Sequence, residues 1–145
     1  MEKIIRTTLY SLLLFLFATA CRKDEEKFPR HEPPVWQINY SAGYYENMTA
    51  VVKLPTNLAK YANTAKDQLA AFASDGKCRG IGEFINGAYF VSIRGASDDR
   101  SNIYFMYYSS RNKYLYKTDD IGSFDADRIF GTADNPKELI LNVVR

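Results

Sequence analysis

The chain has one histidine and two cysteines, and their positions limit the chemistry open to it. His31 lies in the proline-rich stretch FPRHEPPV (28–35), outside the stretch that reads as a folded body. Histidine-based acid–base work and a Ser-His-Asp relay therefore lack their base there. A zinc site wants clustered His and Cys, and the sequence offers no such cluster. GKCRGIG (76–82) has neither the spacing of a phosphate loop nor a following helix signal. The carboxylates Asp119, Asp120, Asp125, Asp127 and Asp134 could pair for glycoside hydrolysis, but they stand in turn-rich sequence rather than in apolar surroundings. TDDIGSFDAD (118–127) could instead hold calcium, which takes 6–8 oxygen ligands, through Asp119, Asp120, Asp125 and Asp127. It lacks the D-x-D-x-D-G core and the twelfth-place glutamate of an EF-hand, and acidic turns of this kind are ordinary. The expectation is a non-enzyme with no cofactor and no metal.

The remaining cysteines belong to different settings. MEKIIR opens with Lys3 and Arg6, and TTLYSLLLFLFATA (7–20) follows without a charge. A basic start, a short apolar run and a small-residue end read as a secretory signal in 1–20, the run being shorter than the ~20 residues of a spanning helix. Ala18, Thr19 and Ala20 precede Cys21, and RKDEEK follows it. This resembles the bacterial lipoprotein box, with Ala18 where leucine is usual. The resemblance implies removal of 1–20 and acyl chains on Cys21, hence a membrane partner through the lipid. Each buried methylene contributes ~0.8 kcal/mol, so several chains make a lasting anchor. Lys23, Asp24, Glu25 and Glu26 resemble the surface-export signal of Bacteroidota lipoproteins, which implies an outer-membrane, surface-exposed address. On this reading Cys21 is not available for a disulfide, and Cys78 is a small buried hydrophobe.

Residues 1–20 hold Lys3, Arg6 and Glu2, so the remainder carries a net charge of +1. That leaves no basic surplus for a phosphate backbone, and nucleic acid is not an expected partner. Residues 21–35 read as a flexible tether, able to span about 45 Å at ~3.3 Å per residue. Residues 36–145 are enough for one small domain.

Within that domain the periodicity is that of strands. NMTAVVKL (47–54) places Met48, Ala50, Val52 and Leu54 on one side, and AYFVSIRG (88–95) does the same with Tyr89, Val91 and Ile93. Asn86-Gly87 marks a hairpin turn. NIYFMYYSS (102–110) sets Ile103, Phe105 and Tyr107 on one face, RNK (111–113) turns into KYLYK, and ELILNVV (138–144) reads as a last strand. Short strands at near-regular spacing predict an all-β domain, an antiparallel sandwich (Ig-like) or a partly open barrel. LAKYANTAKDQLAAF locally favours a helix, through Leu58, Tyr61, Ala62, Ala65, Leu69 and Phe72.

DQLAAFASDGKCRGIG (67–82), YFVSIRG (89–95), IYFMYY (103–108) and GTADNPKEL (131–139) together resemble a small module of exported Bacteroidota proteins, in the same order over roughly residues 48–141. The module's aspartate after the tyrosine of its I-x-F strand is absent here, Tyr108 or Ser109 standing there. The resemblance implies an all-β domain with strands near 67–73 and 77–84, which confines any helix to 56–65. It also suggests that Asp67 and Arg79, on consecutive strands, meet as a charge pair at the open end of a hairpin.

Phe, Trp and Tyr make up 14% of the chain, more than the inner face of a thin domain takes up. Tyr104, Met106 and Tyr108 should face away from the Ile103 set, and Tyr114 and Tyr116 away from Leu115. With Trp36 these tyrosines are a candidate binding face for a glycan or a protein, and Trp36, Tyr40, Tyr44 and Tyr45 form a second candidate patch near the tether. The expectation is a non-catalytic, surface-displayed adhesion or binding module. The alternative is a structural accessory subunit whose tyrosine face is covered in an envelope complex.

Overall fold

The computed structural model describes residues 28–145. The leader, Cys21 and the charged run Lys23 to Glu26 lie outside the described residues. The described chain is almost wholly β: β1 (Glu46–Lys53), a one-turn helix α1 (Thr56–Ala59), β2 (Gln68–Ala73), β3 (Cys78–Ile85), β4 (Ala88–Gly95), β5 (Ile103–Ser109), β6 (Tyr114–Lys117), β7 (Ile129–Phe130), β8 (Lys137–Glu138) and β9 (Asn142–Val143). They form one open sheet in the order β7-β1-β4-β3-β2-β5-β6-β9, with β8 also on β1. β7 and β8 run parallel to β1, and the other pairs are antiparallel.

The alternation seen in the sequence builds the core. Met48, Ala50 and Val52 of β1, Tyr89, Val91 and Ile93 of β4, and Ile103, Phe105 and Tyr107 of β5 turn inward with Leu69, Ala71 and Ala73 of β2. Phe124 and Leu139 plug the inside from loops. A single sheet can enclose such a core only by curling, and β3 supplies the bend. A Cβ on Gly82 would stand 3.2 Å from both Leu69 and Tyr89, and one on Gly80 would stand 2.5 Å from the Ser92 carbonyl oxygen. Opposite them the register slips between Ala71 and Phe72, a bulge that adds twist where the two halves join. The Asn86-Gly87 turn joins β3 to β4 with both residues at positive φ, 48° and 88°, as a two-residue hairpin of primed type requires.

The helix, Thr56–Ala59, falls inside the 56–65 window, and residues 68–73 form β2 as expected, paired with β3 on one side and β5 on the other. Two expectations change. The last strand divides: β8 joins β1 while β9 joins β6, so residues 139–141 cross between the two edges of the curled sheet. The second concerns the tether. Residues 28–35 lie on the body: Phe28 packs edge-on against Tyr114 at 5.8 Å, the His31 N–H donates to the Lys113 carbonyl at 2.7 Å, and Glu32 reaches Lys113 Nζ at 3.4 Å. The segment starts over β5 and β6, crosses β2 and reaches side chains of β3 and β4 before β1 begins. It forms a strap over the outer face. The domain as a packed unit therefore begins by Phe28 rather than at Trp36.

Candidate binding face

β5 sets the frame of the face. Its inward residues fill the core, so Tyr104, Met106 and Tyr108 point outward, as the alternation predicts. On β2 the outward Ala70 and Phe72 stand beside them, with Cys78 of β3, and these three form a second apolar cluster against Tyr104, Met106, Trp36 and Ile38. Tyr104 stacks on Phe72 at 5.6 Å and 17°, and Trp36 meets Phe72 edge-on at 5.5 Å. Burial pushes the Cys78 thiol up, so it is a neutral packing group.

Three rings on or beside the strap carry a cation, while exposed Tyr45 carries none of these. Arg94 lies 5.2 Å from the Tyr40 ring centre, Arg79 lies 3.9 Å from that of Tyr44, and Lys117 Nζ stands 4.0 Å from that of Tyr104. Such contacts contribute ~0.5–1 kcal/mol at exposed sites and more when desolvated. Burial, then the charges of Asp75 and Asp120, raise the Tyr104 hydroxyl above its ordinary range, so it faces solvent as a neutral donor.

The tyrosines expected on one face divide between two. Tyr116 pairs with Tyr107 and packs on it at 6.0 Å inside the core. Its hydroxyl accepts from Asn112 Nδ2 at 2.8 Å, and the residue is 7% exposed. Tyr114 is half-buried under Phe28. Tyr108 faces outward but is covered, its hydroxyl donating to the His31 carbonyl at 3.3 Å. Tyr104 and Trp36 remain half-buried, and Tyr40 and Tyr45 are open to solvent.

Asp67 and Arg79 do not meet. Asp67 accepts from the Tyr107 hydroxyl (2.6 Å), the Ser110 hydroxyl (2.6 Å), the Ser110 N–H (2.8 Å) and the Asn63 N–H (2.7 Å). Arg79, 3% exposed, donates to Asp99 Oδ2 at 2.7 Å and Asp75 Oδ2 at 3.3 Å, and its Nη1 also reaches the Arg94 carbonyl. The β2–β3 hairpin does bring strand ends together. Asp67, at the open end, is met by Asn63 and by the end of β5, whereas Arg79, near the turn, is met by Asp75 of that turn and by Asp99 of the loop after β4. Burial would raise the Asp99 carboxyl, but hydrogen bonds from Ser101 and from Arg79 outweigh it and hold the group below its usual range. Both residues tie loops to strands, and Arg79 Nε is buried without a hydrogen-bond partner.

The acidic turn does not converge. Asp119 and Asp120 line an open cleft of about 660 Å³ with Lys117, Thr118 and residues 142–144. Asp120 also accepts from Asn102 at 3.0 Å. Asp125 and Asp127 do not line it; they belong to the turn where the Arg128 N–H reaches the Asp125 carbonyl. Among the described residues no three His, Cys, Asp or Glu groups are grouped closely enough to hold a metal ion. No family model, curated protein or solved structure matches the chain.

Sequence reading missed the strap. Pro34, Trp36 and Ile38 are half-buried while Val35, Gln37 and Asn39 are exposed, a period of two that the prolines disguise.

Proposed function

We propose that the chain is a non-catalytic binding module of a lipid-anchored envelope protein, carried at the outer membrane by acyl chains on Cys21 and presented at the cell surface by the run Lys23 to Glu26. One observation carries the binding part of the reading. Two aromatic–cation pairs, Tyr40 with Arg94 and Tyr104 with Lys117, lie on the outer side of the sheet. Flat rings with a cation alongside suit a ligand that offers an apolar face and an acceptor, in a protein or a glycan. The buried charged groups support the non-catalytic part, since Asp67 and Arg79 are spent on internal partners.

The test has two arms. Protease shaving of intact cells should release the domain, and mass spectrometry should find lipid on Cys21. On protein and glycan arrays the domain should give saturable signals that fall at least tenfold in Tyr40→Ala and Tyr104→Ala. Signals indifferent to both changes would remove this face as the site.

A second reading, an accessory subunit covered by a permanent partner, is favoured by a separate observation. The half of the outer face that the strap leaves open exposes Ile81 (48%), Ile85 (41%) and Ile129 (65%). The registers set Ser92 and Ile129 on either side of Thr49, while Ile81 stands opposite Ala70 of β2.

A further inference from the structure

We propose that the outer-face cluster of Phe72, Tyr104, Met106 and Cys78 is a seat for an extended polypeptide segment, and that residues 28–40 occupy it in cis. The proposal rests on the binding-module reading and narrows its ligand to a protein strand.

The seat is built without the strap. Ala70 and Phe72 stand on β2, which is paired along both edges, and Tyr104 and Met106 stand on β5, which is also paired along both edges. Tyr104 holds its stack on Phe72 from within the sheet. Removing the strap leaves these walls in register. Met106 adds an unbranched, polarisable side chain that repacks readily around different apolar groups.

The strap, by contrast, is held as a ligand is held. Among the described residues, its one backbone-to-backbone hydrogen bond to the body is His31 N–H to the Lys113 carbonyl. Side chains make the other contacts: Trp36 and Ile38 enter the cluster, Phe28 packs on Tyr114, Tyr40 meets Arg94, Glu32 pairs with Lys113, and the Tyr108 hydroxyl donates to the His31 carbonyl. Extended segments recognised this way draw specificity from pockets for every second side chain. The connection to β1 is a self-contained turn. Ser41 N–H binds Asn39 Oδ1, Ala42 N–H binds the Asn39 carbonyl, and Gly43 sits at φ 77°. The strap can swing on that turn while β1 stays paired with β4. Its own sequence states the chemistry of the ligand that replaces it: apolar or aromatic side chains at i, i+2 and i+4, and an acid two residues before them to meet Lys113.

The probe is a fluorescein-labelled peptide of residues 28–40, titrated into the full chain and followed by anisotropy. The peptide carries its own copy of Trp36, so binding is read from the fluorescein anisotropy alone. The peptide should bind the Trp36→Ala chain at least tenfold more tightly than the unaltered chain, and Phe72→Ala added to it should abolish binding. If circular dichroism shows Trp36→Ala unfolded, Ile38→Ala takes its place. Joining Glu32→Cys to Lys113→Cys with a short bis-maleimide should block the peptide, while the same double variant left unjoined should bind it. No binding to either strap variant at millimolar peptide, or equal binding to joined and unjoined chains, overturns the proposal. Array signals that depend on Tyr40 or Tyr104 while the joined chain behaves like the unjoined one would leave the module reading standing and remove the exchangeable strap alone.

Discussion

At the scale of single residues, Asp67 and Arg79 are spent on holding loops, while the buried Tyr89 hydroxyl has no hydrogen-bond partner. Asp67 joins the turn at Asn63 to the end of β5, and its charge adds to the burial that raises two tyrosines. Burial first, then the Asp67 carboxylate, push the Tyr89 hydroxyl up to about 12, and the same causes with a direct hydrogen bond raise Tyr107 further. A group whose folded value is raised contributes stability that is complete below its ordinary value, ~10 for tyrosine, and that is lost as pH climbs toward the folded value. We expect alkaline unfolding to begin above pH ~10, with two tyrosines ionising only as circular dichroism is lost. Tyrosinate absorbance recorded against pH checks it, and a full complement ionising near pH 10 in a folded chain would refute the coupling. Asp67→Asn should lower stability by about 2–3 kcal/mol, because charge-assisted bonds contribute ~1.5–3 kcal/mol and one amide cannot accept all four. Chemical denaturation reads that loss, and Asp67→Asn with an unchanged midpoint would mean the network is dispensable. The resemblance drew attention to Asp67 and Arg79, but not to their partners. Tyr107 lies 40 residues from Asp67 and Asp99 lies 20 from Arg79, separations that only the strand order closes.

At the scale of elements, whatever alternates over five or more residues was legible. β1, β4 and β5 lie where their periods of two place them, since each has one face in the core and one outside. The helix pattern of residues 58–72 misled because Ala70 and Phe72 turn away from the core that Leu69 and Ala71 enter; both faces of β2 are apolar, and a doubly buried strand carries no alternation. The strap was unreadable for the opposite reason, a real period of two broken by prolines. β3 was read as a strand, but its glycines have a geometric duty. Gly80→Ala sets a Cβ 2.5 Å from a backbone oxygen that cannot retreat without breaking β4. It should destabilise by more than ~2 kcal/mol, in the range of overpacked cores. Gly43→Ala meets no atom within 4 Å and bears only the strain of its φ of 77°, roughly 1 kcal/mol. Urea midpoints of the two variants should therefore fall in that order, and the reverse order would contradict the curl at β3.

At the scale of the whole molecule, the open sheet has two edges, and the chain deals with both through one segment. β8 lies on the β1 edge and β9 on the β6 edge, so Leu139 is drawn into the core between them while Ile140 stays 78% exposed. Short two-residue edge strands leave little unpaired backbone to recruit other chains. The outer face is less protected. One half is closed by the strap, and the other exposes Ile81, Ile85 and Ile129 around the polar Ser92 and Thr49, with half-buried Phe90 beside them. Exposed isoleucines that share a face meet a partner or drive self-association as concentration rises. Ile81→Lys separates fold from association, because Ile81 is half exposed and outside both apolar clusters, so its loss should leave the melting temperature within ~2 °C. Light scattering of the unaltered chain should show mass increasing with concentration, and the lysine variant should stay monomeric. If both chains scatter as monomers at millimolar concentration, the open half-face is a solvated surface rather than an association site.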